Sequence, residues 1–186
     1  GGYIGMELGT VYATLGSRVI LVEALETILA GVDTDLMRPV LRSAQALFGE
    51  LRTGTRVTAL RLEGSKVRVT CEQAAGAREE LYDRVLVCVG RVPHCEELGL
   101  EHTNVRLSAQ GFIDVDSARR TADPAIWAIG DCIGPPLLAH KASHDARLAV
   151  EALTGGSDLT RPAVIPSVVF TDPELAWCGL TEAEAR

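Results

Sequence analysis

The sequence predicts an α/β fold organised around a parallel sheet. Three observations carry that expectation. A glycine-rich turn opens an apolar helix over Gly2–Leu15, the short apolar run Ser17–Glu23 ends in an acid, and the runs Arg84–Gly90 and Ala125–Ile129 each stop at a glycine. Turn, helix and buried strand in succession is the unit from which parallel sheets are assembled.

In chain order, small and apolar residues recur at helical spacing from Gly2 to Leu15, and Gly16 ends that helix. Ser17–Glu23 has the continuous apolar character of a strand covered on both faces. A second helix is expected from Asp33, as N-cap, through Leu36, Val40, Leu41, Ala44 and Leu47. Val57–Leu62 and Val67–Cys71 alternate around Glu63-Gly64-Ser65 and predict a hairpin. Gln73–Glu80 is expected as a solvated turn, and Arg84–Gly90 as a second buried strand with Cys88 as a small buried hydrophobe. Pro93 breaks the pattern, and a new domain is expected to start near residue 91. Beyond it come strands at Gly111–Asp116 and Ala125–Ile129, a helix over Leu137–Leu153, a linker at 154–158, and a strand opening at Ile165–Phe170.

Composition narrows the function. The chain has 186 residues, is 47% apolar and carries a net charge of -7, the balance of a globular protein without a surface for nucleic acid. No apolar run approaches the roughly 18 residues that a membrane crossing needs. The five cysteines lack C-x-x-C spacing, so no metal site is expected, and a reducing, cytoplasmic compartment fits their use. Gly1 opens directly into the glycine turn and Arg186 closes inside a helix start, as expected of an internal segment of a longer protein.

Gly1-Gly2-Tyr3-Ile4-Gly5 matches the last five positions of G-x-G-x-x-G. Gly2 lets the backbone approach a pyrophosphate, Gly5 permits tight packing of helix against strand, and the helix start offers free N–H groups. Glu23, about 20 residues on at a strand end, is suited to accept hydrogen bonds from ribose hydroxyls and to repel a 2′-phosphate, which favours NAD over NADP. The expected fold is thus Rossmann-like, with the first strand lying before residue 1. A methyltransferase uses a similar turn and acid, so residues 1–23 alone leave both classes open.

The downstream motifs separate them. Gly1-Gly2-Tyr3-Ile4-Gly5-Met6-Glu7-Leu8-Gly9, Leu21-Val22-Glu23, Val89-Gly90-Arg91-Val92-Pro93 and Ala128-Ile129-Gly130-Asp131 occur in the order found in the two-dinucleotide flavoprotein disulfide reductases. Over essentially its whole length the chain resembles that family. Leu138-Ala139-His140-Lys141 and Val168-Val169-Phe170-Thr171-Asp172-Pro173 resemble its bacterial dihydrolipoyl dehydrogenase branch, while mercuric reductase and soluble transhydrogenase types are the alternatives within the family.

The resemblance implies an NAD-binding domain over 1–90, a returning part of an FAD-binding domain over 91–160, and the start of an α+β dimerisation domain over 161–186. It implies that Gly1, Gly2, Tyr3, Ile4 and Gly5 line the NAD pyrophosphate turn, that Glu23 holds the ribose, and that Val57 and Gly90 flank the adenosine. Asp131 would hydrogen-bond the FAD ribityl chain, and the Ala139 backbone would approach the flavin. Glu7 corresponds to an acid that in the family pairs with a flavin-side lysine near the nicotinamide. His140 and His144 are expected as polar helix residues, because the family's catalytic histidine belongs to a later His and Glu pair. No two cysteines stand five positions apart, so the family's redox-active disulfide would lie outside this chain. The implied activity is oxidation of a dithiol by NAD through FAD, in a homodimer that serves the lipoyl domain of a 2-oxo acid dehydrogenase complex. The class that competes with it is a noncatalytic dinucleotide-binding module.

Overall fold

The computed structural model describes residues 1–74, 76–156 and 164–186. The chain divides into two compact units, Gly1–Gly90 with Val168–Arg186, and Arg91–Ser167. The 160/161 boundary expected from the sequence, and part of the expected linker at 154–158, fall outside the described residues.

In the first unit, helix α1 (Tyr3–Thr14) leads to strand β1 (Ile20–Val22), then to helix α2 (Thr34–Leu47) and strand β2 (Glu50–Arg52). β1 and β2 pair in parallel with Leu21 opposite Leu51, the geometry a helical crossover permits. α2 starts after Asp33, and its buried residues Met37, Val40 and Ala44 recur at three and four positions along one face. That face joins Met6 of α1, Leu21 of β1, Ile28, Leu29 and Phe48 in one apolar core, which Val169 and Leu175 of the returning segment complete. Gly9 is needed in this packing: a Cβ there would lie 3.0 Å from Cζ of Phe48.

Strands β3 (Arg56–Glu63), β4 (Lys66–Gln73) and β5 (Gly76–Tyr82) form an antiparallel sheet in that order. The β3–β4 hairpin closes through Gly64 at φ +61. β5 corrects the sequence reading, which expected Gln73–Glu80 as a turn. Its run of Arg78, Glu79 and Glu80 is a charged edge strand, on which Arg78 and Glu80 pair at 2.7 Å and Glu79 faces Thr70.

A second correction concerns Arg84–Gly90. The segment has no ladder partner among the described residues, and Val85, Leu86, Val87 and Val89 are exposed rather than buried. Apolar composition suits a strand, but a strand also needs a neighbour to take its N–H and C=O groups. Cys88 is half-buried, set against α1, where a Cβ on Gly5 would stand 3.7 Å from its own Cβ. Strands β6 (Ser167–Val169) and β7 (Leu175–Trp177) form a further two-stranded sheet, and Trp177 packs edge-on to Tyr3 with centroids 5.7 Å apart.

The second unit holds helix α3 (Ala139–Leu153) and two 3-10 turns, Leu100–His102 and Gly130–Ile133. The strands expected at Gly111–Asp116 and Ala125–Ile129 are reduced to single bridges, Leu107 with Ile113 and Arg120 with Trp127. Local side-chain bonds displace the ladders. The Asp116 carboxylate accepts from the N–H groups of Ala118 and Arg120, and Asp123 accepts from those of Asn104 and Ala125. The apolar core here is small, with Cys95, Ile113 and Ala128 at its centre. Among the described residues no helix is long and apolar enough to cross a membrane.

Candidate functional site

The glycine turn and Glu23 meet in the first unit. Gly2 is the extended N-cap of α1 and supplies no side-chain cap, so the first N–H groups of the helix are left for another acceptor. Nothing lies within 4 Å of where a Cβ on Gly2 would project. Gly1 is enclosed instead: its nitrogen is 2.9 Å from Glu23 Oε2, and a Cβ there would stand 2.8 Å from the same oxygen. Glu23 is half-buried and extends β1, its N–H donating to Arg52 O and its own carbonyl accepting from Thr55 N–H. Its Oε1 accepts from Leu25 N–H at 2.8 Å. Burial pushes the Glu23 carboxyl up, and the hydrogen bond from Leu25 N–H pulls it down.

Tyr3, Ile4 and Gly5 form the first turn of α1, with Gly5 facing Cys88. Gly90 stands two residues further on at φ +132, in a region that L side chains rarely adopt, and is exposed. Val57 is exposed on β3, opposite Cys71 and two residues after the Thr55 that bonds Glu23. Glu7 Oε1 accepts from the backbone N–H of Phe170 at 2.9 Å, which ties α1 to the returning segment.

Beside this site a charge cluster joins the two sheets. Arg52, at the end of β2, is buried and bonds both Glu50 at 2.6 Å and Glu80 of β5. That guanidinium is the main reason the Glu80 carboxyl is held at about 2; burial and the Glu80 contact push the Tyr82 hydroxyl to about 12.

In the second unit Asp131 lies in the Gly130–Ile133 turn with its side chain half-exposed, 3.5 Å from Arg91 Nε. Ala139 is the exposed first residue of α3, whose N-cap Leu138 provides no side-chain acceptor. His140 is exposed, with Nε2 2.5 Å from Pro166 O, and His144 is half-buried. What the sequence reading missed lies beneath the turn. Lys141 and Asp145 are both buried and paired at 2.9 Å, and Arg119 reaches Asp145 Oδ1 at 2.8 Å. Burial pushes the Asp145 carboxyl up; bonds from Lys141, Arg119 and Gly130 N–H reverse this and hold it below the ordinary range. The spacing of Lys141 and Asp145, four apart on a helix, was visible, but nothing in it marked the pair as interior. Among the described residues no cluster of three or more His, Cys, Asp or Glu is placed to hold a metal.

Comparison with known proteins follows the same arrangement. Dihydrolipoyl dehydrogenase of Vibrio parahaemolyticus is 41% identical over all of this chain and 39% of its own length. Dihydrolipoyl dehydrogenase of Thermus scotoductus is 40% identical over all of this chain and 41% of its own. Among solved structures, LpdA from Mycobacterium tuberculosis superposes with a TM-score of 0.87 at 28% identity, over 98% of this chain and 39% of that one. The HOCl-induced flavoprotein disulfide reductase RclA from Escherichia coli, as its Cu(II) complex, gives 0.88 at 27% identity, over all of this chain and 42% of that one. The chain thus spans about two fifths of the length of the relatives it matches. Residues 1–146 match the pyridine nucleotide-disulphide oxidoreductase family, and the chain belongs to that family.

Proposed function

We propose that this chain supplies the NAD-binding domain and part of the FAD site of a disulfide oxidoreductase of the dihydrolipoyl dehydrogenase type. The observation that carries the reading is Glu23, held by Leu25 N–H beside the Gly1 nitrogen, with open space in front of Gly2. A dinucleotide fits there on physical grounds. The bare start of α1 offers N–H groups to a pyrophosphate, and the Glu23 carboxylate at the end of β1 can accept from vicinal hydroxyls. A 2′-phosphate in the same place meets Glu23 as like charge, so NAD is preferred over NADP.

In this reading Gly1, Gly2, Tyr3, Ile4 and Gly5 bind the pyrophosphate, Glu23 orients the ribose, and Val57 and Gly90 border the adenosine. Asp131 would accept from the FAD ribityl hydroxyls, and the Ala139 backbone would approach the flavin. Glu7 sits near the nicotinamide side, its carboxylate steadied by Phe170 N–H. FAD and NAD, when bound, supply hydride transfer, and the residues of this chain position and orient them. The dithiol substrate is taken to be a dihydrolipoyl group on the lipoyl domain of a 2-oxo acid dehydrogenase complex, and the enzyme to be a cytoplasmic homodimer.

The test is to assay the full-length protein for NAD reduction by dihydrolipoamide, with NADP and a Glu23→Ala variant alongside. Turnover with NAD, its loss with NADP, and a KM for NAD raised on the order of 10- to 100-fold in the variant are expected, one charge-assisted bond being worth roughly 1.5–3 kcal/mol. Flavin binding without dihydrolipoamide oxidation would overturn the substrate assignment.

A further inference from the structure

The most heavily buried charges of the second unit lie under the turn that carries Asp131. The Asp145 side chain is wholly buried, and that of Lys141 nearly so at 8% exposure. Taking two such charges from water is costly, and apolar residues of similar size often stabilise as well. Their use here is geometric. Lys141 Nζ donates to Gly130 O at 3.0 Å, to Gly134 O at 3.1 Å and to Asp145 Oδ2, which satisfies all three of its protons. Asp145 Oδ2 also accepts from Gly130 N–H at 3.1 Å, while Oδ1 takes Arg119 Nε. Both polar groups of Gly130 and the carbonyl of Gly134 are therefore fixed by two side chains one turn apart on α3. Gly130 has φ +79, and a Cβ there would lie 3.1 Å from Ala142 Cβ, so turn and helix are in close contact as well. Arg119 is itself held at φ +66.

We infer that Asp145 and Lys141 are positioning residues for flavin binding, locking the Gly130–Ile133 turn to the start of α3 so that Asp131 and the Ala139 backbone meet one ligand in fixed register. This rests on the reading of Asp131 and Ala139 as FAD contacts. Neither buried side chain touches the flavin; each acts through the backbone of the turn. With all three Lys141 protons and both Asp145 oxygens engaged, a shift of either side chain leaves a backbone group of the turn without its partner.

The experiment uses the full-length protein stripped of flavin and titrated with FAD, following flavin fluorescence and the visible circular dichroism of the bound ring. Asp131→Ala, Asp145→Asn and Lys141→Met are compared with the unaltered protein, and thermal unfolding is recorded without FAD. Asp145→Asn is expected to raise the FAD Kd on the order of 10- to 100-fold, as for outer-shell partners of ligating groups, and to change the visible dichroism at saturation. If Asp131→Ala weakens FAD while Asp145→Asn and Lys141→Met lower only the melting temperature, the pair is merely structural and the inference is overturned. If Asp131→Ala also binds FAD as the unaltered protein does, the parent reading falls first. Should Asp145→Asn not fold, Arg119→Gln, at the more accessible end of the network, is titrated in its place, and an unchanged Kd there overturns the inference equally.

Discussion

The two units are stabilised by different means. The first buries Met6, Leu21, Ile28, Leu29, Val40 and Val169 in one apolar cluster between helices and a parallel strand pair. The second has a smaller apolar centre and places a fully buried carboxylate between two cations beneath a 3-10 turn. Apolar packing is tolerant of detail, because many side chains of similar volume fill the same space. A buried ionic network is not, because each atom has a named partner. The apolar cluster of the first unit and the ion network of the second should therefore respond to opposite kinds of substitution, even though the first unit also buries Arg52 among carboxylates.

The largest effect that would sharpen this contrast comes from Asp145→Ala, which leaves Lys141 and Arg119 without their shared anion. A loss of about 3–5 kcal/mol is expected, read as faster amide exchange over residues 91–156 with exchange in β1 and β2 unchanged. Accelerated exchange throughout would show that the units unfold together and break the comparison. Met6→Ala, at a position with no exposure, should remove roughly 2–5 kcal/mol from the first unit. Each unit carries one tryptophan, Trp177 and Trp127, so the fluorescence transition of Trp177 should shift while that of Trp127 stays.

Gly9→Ala is a smaller test of the same core. The added methyl meets the Phe48 ring at 3.0 Å, and about 1–3 kcal/mol of overpacking is expected from denaturant midpoints. A neutral result would mean that the ring moves aside and that the cluster is looser than its burial suggests. The smallest effect concerns pH. Glu80 is held at about 2 against an ordinary value of 4.5. Its contribution is therefore present above about 4.5 and lost as pH falls from there to about 2. Melting temperatures of Glu80→Gln and the unaltered protein should accordingly converge through that window and differ most near neutrality.

The same contrast explains what could be read from the residues beforehand. α1, α2 and α3 were legible because local apolar spacing marks a helix: Asp33 marks the start of α2, and of its expected apolar residues Val40 and Ala44 lie on the inner face, while Leu36 and Leu47 are exposed and Met37 takes the remaining inward position. The β3–β4 hairpin was legible from alternation around Gly64. β5 was not, since its charges look like those of a turn until Glu80 is seen to meet Arg52, 28 residues away. Arg84–Gly90 reads as a strand from composition alone, yet pairing is a property of two segments. At the site, the position of Glu23 at the end of the strand after the glycine turn and helix was legible from spacing, and its closeness to Gly1 emerges only in the structure. The support beneath Gly130 was not legible, because burial of Lys141 and Asp145 depends on how α3 meets a turn that precedes it in the chain.

The bond between Glu7 and Phe170 joins residues 163 apart, and that separation has a consequence for the timing of folding. During synthesis, residues 91–167 emerge as an unbroken stretch, and the bonds among Arg119, Gly130, Gly134, Lys141 and Asp145 all lie within it. The first unit begins earlier but waits for Val169 and Leu175 to close its core. Until then Met6 and its neighbours hold an unfinished apolar face, and bringing the late strand back is a loop closure whose entropy rises with the logarithm of the chain between. A second unit that is already compact shortens that path, so the unit begun second in sequence is completed first in time.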